Sequence, residues 1–128
     1  MLTNLHQNLS KNQETQAGHV NDDTLLIKAN YQFIQLKIND ILFVKALADY
    51  VIITMINNVR YITLSTMKDM CDNLPAKKFA RTHRSFIVNM DKIHLIKGSS
   101  LIISHNSFQY TIPIGRVYKK VLKAVLTN

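Results

Sequence analysis

The residues best equipped for chemistry lie between Phe79 and Asn89, where Arg81, Thr82, His83, Arg84 and Ser85 follow a Lys77-Lys78 pair and precede the apolar run Phe86-Ile87-Val88. Such a stretch concentrates hydrogen-bond donors for phosphates and base edges. An arginine forks onto guanine O6 and N7, while serine, threonine and lysine hold phosphate oxygens. The same composition also suits an ordinary polar loop ahead of a strand, so composition alone leaves both readings open. A second basic group, Arg116, Lys119, Lys120 and Lys123, falls at i, i+3, i+4 and i+7, one face of a helix. That face serves either phosphate contacts or plain solvation.

Other chemistries find no constellation. The sequence has no GxSxG, HExxH, GxxxxGK[ST] or GxGxxG, and only three glycines. The acids are scattered, with no pair placed for acid-base work. His6, His19, His83, His94 and His105 do not fall at metal-ligand spacing with one another, and Cys71 is the sole cysteine. The sequence therefore points to no enzyme, no metal and no cofactor. Cys71 reads as a small buried side chain in a reducing, cytoplasmic setting.

Charge bears on the partner. The 128 residues carry 16 Lys+Arg against 8 Asp+Glu, a formal net charge of +8. An excess of this size favours nucleic acid, an anionic membrane or an acidic protein. The charge is uneven. Residues 1–24 hold Lys11 against Glu14, Asp22 and Asp23, or −2; from Leu25 onward there are 15 basic and 5 acidic residues, or +10; from Lys77 onward 10 basic residues face Asp91 alone, or +9. No apolar run approaches the ~20 residues that span a bilayer, and the amino-terminal stretch lacks the pattern of a secretory signal.

The elements that must carry these residues read mostly as β. Residues 1–24, rich in Asn, Gln, Thr and His, read as a flexible tail or linker, with a weak helical spacing of Leu2, Leu5 and Leu9 inside Leu2 to Lys11; residues 25–128 read as one domain. Strands are expected at Leu25 to Ile27, Phe33 to Ile38, Ile41 to Leu47, Tyr50 to Ile56 and Val59 to Leu64, with Asn57-Asn58 as a tight turn. Thr66 caps a short helix whose Met67, Met70, Cys71 and Leu74 share one stripe, and Pro75 ends it. Further strands are expected at Phe86 to Val88, Ile93 to Ile96, Leu101 to Ile103 and Phe108 to Ile114. Pro113 marks a strand edge or end. An amphipathic helix from Arg116 to Leu126 closes the chain, with Val117, Val121 and Val125 on one face, Leu122 nearby, and the basic group opposite.

Three ordered signatures within this frame carry a family resemblance. They are Asp40-Ile41-Leu42-Phe43-Val44 with Ala48-Asp49-Tyr50-Val51; Phe79-x-Arg81-x-His83-Arg84-Ser85-Phe86-Ile87-Val88-Asn89 with Asp91-Lys92-Ile93; and Ile112-Pro113-Ile114-Gly115-Arg116 with Tyr118-Lys119. From about Leu25 to Leu126 the chain resembles LytTR domains, the DNA-binding domains of LytR/AgrA-type transcriptional regulators. The resemblance implies a mainly β, antiparallel multi-strand domain with one short internal helix and a C-terminal helix. It also implies a bacterial regulator that binds double-stranded DNA by inserting loops into successive major grooves. By motif position, Arg84 and Arg116 would contact bases, with a third contact at Asp49-Tyr50. Arg81, His83, Ser85, Lys119, Lys120 and Lys123 would contact the DNA backbone. Family members commonly follow a receiver domain whose phosphorylation controls dimerisation, so a homodimer on paired sites and a receiver or sensor partner are implied as well.

Two other readings stay open at this stage. Small basic β domains also bind RNA or single strands through exposed aromatics on a sheet, although Phe43, Tyr61 and Phe86 stand in contexts that suggest burial. The same fold could also serve protein interaction.

Overall fold

The structure, a computed structural model, describes residues 17–21 and 23–127. The helical spacing expected within Leu2 to Lys11 lies outside the described residues. Eleven strands and two α-helices are described, and the sheets are antiparallel throughout.

A five-stranded sheet forms the middle layer. It is built from β4 (Ile41–Leu47), β5 (Tyr50–Met55), β6 (Arg60–Leu64), β7 (Phe79–His83) and β8 (Phe86–Asn89), in the order β6-β5-β4-β8-β7. Side chains alternate across a strand, so the sheet feeds two cores. Val51, Ile53 and Met55 of β5 and Ile87 of β8 enter one; Leu42 and Phe43 of β4 and Val88 of β8 enter the other. The register slips between Ile41 and Phe43, a bulge that turns adjacent residues Leu42 and Phe43 toward the same core.

Each core has its own cover. The first lies under β1 (Ala17–Asn21), β2 (Thr24–Ala29), β3 (Gln32–Lys37) and helix α1 (Met67–Asn73), which contribute Leu25, Ile27, Leu36, Met67 and Met70. Thr63 Oγ1 donates to Lys28 O at 2.7 Å and ties this sheet to β6. The second lies under β9 (Ile93–Lys97), β10 (Ser100–His105), β11 (Phe108–Pro113) and helix α2 (Arg116–Thr127), which contribute Leu101, Ile103, Ile112, Ile114 and Leu122. Three β layers thus sandwich two apolar cores.

Local chemistry explains the joints. Thr66 Oγ1 accepts the Asp69 N–H at 3.0 Å and caps α1. Met67, Met70 and Leu74 are buried, and Cys71 is half-buried. Asn30, Asn58 and Asn106 take positive φ in the hairpin turns, where their short polar side chains tolerate it. Pro113 ends β11 on a sheet edge, where its missing N–H costs no ladder bond.

Three elements differ from the sequence reading. Ala17–Asn21, inside the stretch taken as a tail, pairs with β2 as an outer strand. Its pairing runs through the backbone, so no apolar alternation announces it. Phe79–His83 is not a loop but the edge strand β7, with only Arg84 and Ser85 left as a turn. On α2 the residue that packs is Leu122, while Val117 and Val121 are 80% and 60% exposed.

Asn89 locks the far end of the central sheet. Its buried amide donates to Ile41 O at 2.9 Å and its Oδ1 accepts the Asp91 N–H at 3.0 Å. Removing it strands a buried carbonyl, so Asn89→Ala should lower unfolding free energy by about 2 kcal/mol. Urea denaturation checks this, and a loss under about 0.5 kcal/mol, the size of an ordinary surface change, would contradict it.

Candidate nucleic-acid interface

Strand direction decides where the signatures meet. β4 ends at Leu47 and β5 begins at Tyr50, which face each other across the turn Ala48-Asp49. β7 ends at His83 and β8 begins at Phe86, which face each other across the turn Arg84-Ser85. Because Lys45 of β4 pairs with Phe86 of β8, both turns lie at the same end of the sheet. At about 4.8 Å per strand they stand roughly 10 Å apart. A backbone bond from Ala46 N–H to Ser85 O at 2.9 Å joins their stems.

The third signature is brought to the same end by another backbone bond. Gly115 N–H donates to Thr82 O at 2.7 Å, seating the β11–α2 junction on the edge of β7. Space there is tight. A Cβ on Gly115 would stand 3.0 Å from Tyr118 Cδ2 and 3.7 Å from His83 Cα. Gly115 O accepts from the Tyr118 and Lys119 N–H groups at 3.0 and 3.1 Å, so Gly115 opens the helix without a side-chain cap. The first turn of α2 contains no acid. Its unsatisfied N–H groups and positive dipole end suit an anion.

Within the Arg84 turn the side chains fall into two groups. Arg84 is exposed and free to reach outward. Arg81 is half-buried and turned inward: its Nε donates to His83 O at 3.2 Å and an Nη donates to Arg84 O. Arg81 therefore braces the turn, a role the sequence did not reveal. His83 Nδ1 accepts the Ser85 N–H at 3.1 Å. The neutral ring then carries its proton on Nε2, which is the atom able to donate to a phosphate. The ring also stands edge-on to Phe86, with centroids 5.8 Å apart. Cys71 lies beside Arg81 in α1; burial pushes its thiol up, and the Arg81 charge opposes that shift.

The remaining expected residues share this end or run from it. Asp49 and Tyr50 are exposed, and Ala48 between the strands holds φ at 52°. That conformation costs a residue with a Cβ about 1–2 kcal/mol. Arg116, Lys120 and Lys123 are exposed on α2, and Lys119 is half-buried. Asp40 and Asp91 sit in 3-10 turns at the opposite end of the sheet, which leaves Asp49 as the acid within the three turns. Among the described residues no group of His, Cys, Asp and Glu could hold a metal, and no helix is long and apolar enough to cross a membrane.

Comparison with known proteins follows the same outline. Residues 31–127 match the family described as the LytTr DNA-binding domain. The chain is 25% identical over 108 residues to the transcriptional regulatory protein YpdB of Escherichia coli K12, covering 82% of this chain and 44% of that protein. It is 33% identical over 99 residues to the transcriptional regulatory protein NatR of Bacillus subtilis, covering 77% of this chain and 39% of that one. The chain thus spans less than half the length of these relatives. The LytTr DNA-binding domain of a methyl-accepting/DNA response regulator from Bacillus cereus has the same fold, with a TM-score of 0.70 at 19% identity over 84% of this chain and all of that one.

One buried group beneath the turns stands out. Thr82 is fully buried, and its Oγ1 has no hydrogen-bond partner among the described residues. Burying a hydroxyl unpaired costs about 1–3 kcal/mol. Thr82→Val should therefore raise stability, by about 1 kcal/mol, and leave the Thr82 O bond in place. A fall in thermal midpoint would mean that the hydroxyl is paired in solution.

Proposed function

The chain belongs to the family of LytTr DNA-binding domains, and we propose that it reads duplex DNA sequence-specifically as the output domain of a bacterial transcription regulator. The observation that carries the reading is the gathering of three signature turns at one end of a rigid sheet. No helix is presented there as a reading head; the ends of strands and the start of α2 are.

Arg84 and Arg116 are the base readers in this proposal. Both are exposed, both sit at the tips of their motifs, and an arginine fork matches guanine O6 and N7. Asp49 and Tyr50 form the third contact, where a carboxylate is favourable only as an acceptor from a cytosine amino group. His83 through Nε2, Ser85, and the α2 residues Lys119, Lys120 and Lys123 hold phosphates. A phosphate at the uncapped start of α2 would supply the negative charge that its first turn lacks. Arg81 serves mainly to hold the Arg84 turn in shape, with its unused donors left for a phosphate. The loops would enter the major groove, and two copies would act on paired sites, because one small domain touches few bases.

Substitution separates readers from holders. Arg84→Ala or Arg116→Ala should each cost about 1–3 kcal/mol on a specific duplex and relax discrimination at one base position. Lys120→Ala or Lys123→Ala should weaken binding to every duplex and shallow the salt dependence by about one unit of slope. Titrations of specific, random and single-stranded DNA over a range of salt make the comparison. Equal losses on specific and random duplex for the arginine variants, or a preference for single strands, would overturn the assignment.

A further inference from the structure

The second face of the central sheet is only partly covered. Beyond the β9–β11 sheet it opens into a cleft of about 410 Å3 between β4, β5 and β6 on one side and β11 on the other. Phe43, Thr54 and Ile112 form a buried floor. Phe86 and Tyr110 flank Phe43 at centroid distances of 6.3 and 5.1 Å, tilted and edge-on respectively. The Tyr110 hydroxyl donates to Asn58 Oδ1 and ties the β10–β11 hairpin to the β5–β6 turn across one end of the cleft.

The rim is cationic. Lys45 and Arg60 line it and no acid does. Neither has an ion-pair partner among the described residues. Lys45 Nζ stands over the Phe86 ring at 5.8 Å, which holds a positive charge against the aromatic wall. Arg60 also acts electrostatically on Tyr110: burial pushes that phenol up, and the Arg60 charge opposes the shift. An apolar concave floor with a few convergent polar groups is the ordinary form of a small-ligand site, and the volume falls in the usual range of about 300–1,000 Å3.

We propose that this cleft binds a small planar aromatic carboxylate, its ring over Phe43 and against Phe86 and its carboxylate at the rim that Lys45 and Arg60 line. An aromatic ring satisfies the floor and the edge-on neighbours; a negative charge suits a rim that carries two cations and no acid. The site is joined to the contact end. Phe86 begins β8 immediately after the Arg84-Ser85 turn, and Ile112 lies on the strand that leads into Gly115 and Arg116. An occupant would touch the stems of both turns, so occupancy should alter DNA affinity. That coupling rests on the DNA-binding reading; the binding of the carboxylate does not.

The test is a 1H–15N NMR titration of the full chain with 2-naphthoate, and with 2-naphthamide as its neutral counterpart. Saturable shifts are expected at the Lys45, Thr54, Arg60 and Tyr110 amides, with a dissociation constant below about 1 mM. The affinity should fall at least about tenfold for 2-naphthamide, and likewise for the Lys45→Gln/Arg60→Gln double variant. Both replaced residues are exposed, so the variant should keep its fold, which its spectrum reports directly. No DNA is present in the titration, so failure of this site is read independently of the DNA reading. The proposal is overturned by shifts that do not saturate, by shifts confined to the α2 lysines, or by equal binding of the amide. Concentration-dependent shifts of the same amides without ligand would also overturn it, since a second copy would then occupy the cleft.

Discussion

A hydrogen bond between two backbone groups, Gly115 N–H and Thr82 O at 2.7 Å, sets the geometry on which the proposed contact surface depends. Its own contribution to stability is modest, about 1 kcal/mol. Its consequence is positional. It fastens the start of the last helix to the edge strand that ends in the Arg84 turn, at a point where a side chain on residue 115 would crowd the Tyr118 ring. The Ala46–Ser85 bond does the same for the turn at Asp49. Two backbone bonds thus gather three distant stretches of sequence at one end of a sheet.

Rigidity at that end is supplied from below. The central sheet has a core on each face, and the residues just behind the turns, Val44, Ile87 and Val88, are fully buried. Arg81 adds a clamp from the side by donating to the carbonyls of His83 and Arg84. A turn held this way loses little freedom on binding, which favours affinity and fixes the direction in which Arg84 leaves the backbone. The strained Ala48 turn belongs to the same end. Positive φ at a non-glycine residue persists only where the surrounding ladder dictates it.

Much of this was legible in the sequence, for reasons that can be stated. Period-two alternation in Phe108 to Ile114 and the Met67, Met70, Leu74 stripe reflect burial on one face, and burial is what sequence patterns encode. The motif positions of Arg84 and Arg116 came from the family resemblance, since composition sets neither apart from any other exposed arginine. What escaped is what depends on pairing or on long-range neighbours. Ala17–Asn21 joins a sheet through its backbone, which leaves no apolar signature. Phe79–His83 looks polar because its arginine, Arg81, is spent on the adjoining turn. The valines of α2 have the spacing of a core face, but Leu122 makes the contact and they remain exposed. The cleft around Phe43 and Tyr110 draws on residues 43 to 112, and no local pattern could announce it.

The proposed DNA-binding surface is the end of the sheet that carries the three turns. Amide hydrogen exchange of the full chain, with and without a duplex selected from a random library at about 150 mM salt, near physiological ionic strength, tests it most directly. Added protection is expected at residues 47–50, 83–86 and 114–120, and none at the opposite end around Asn57-Asn58 or at Asn30-Tyr31. Protection centred on the β5–β6 turn, or spread evenly over the basic face of α2 without the Arg84 turn, would contradict it.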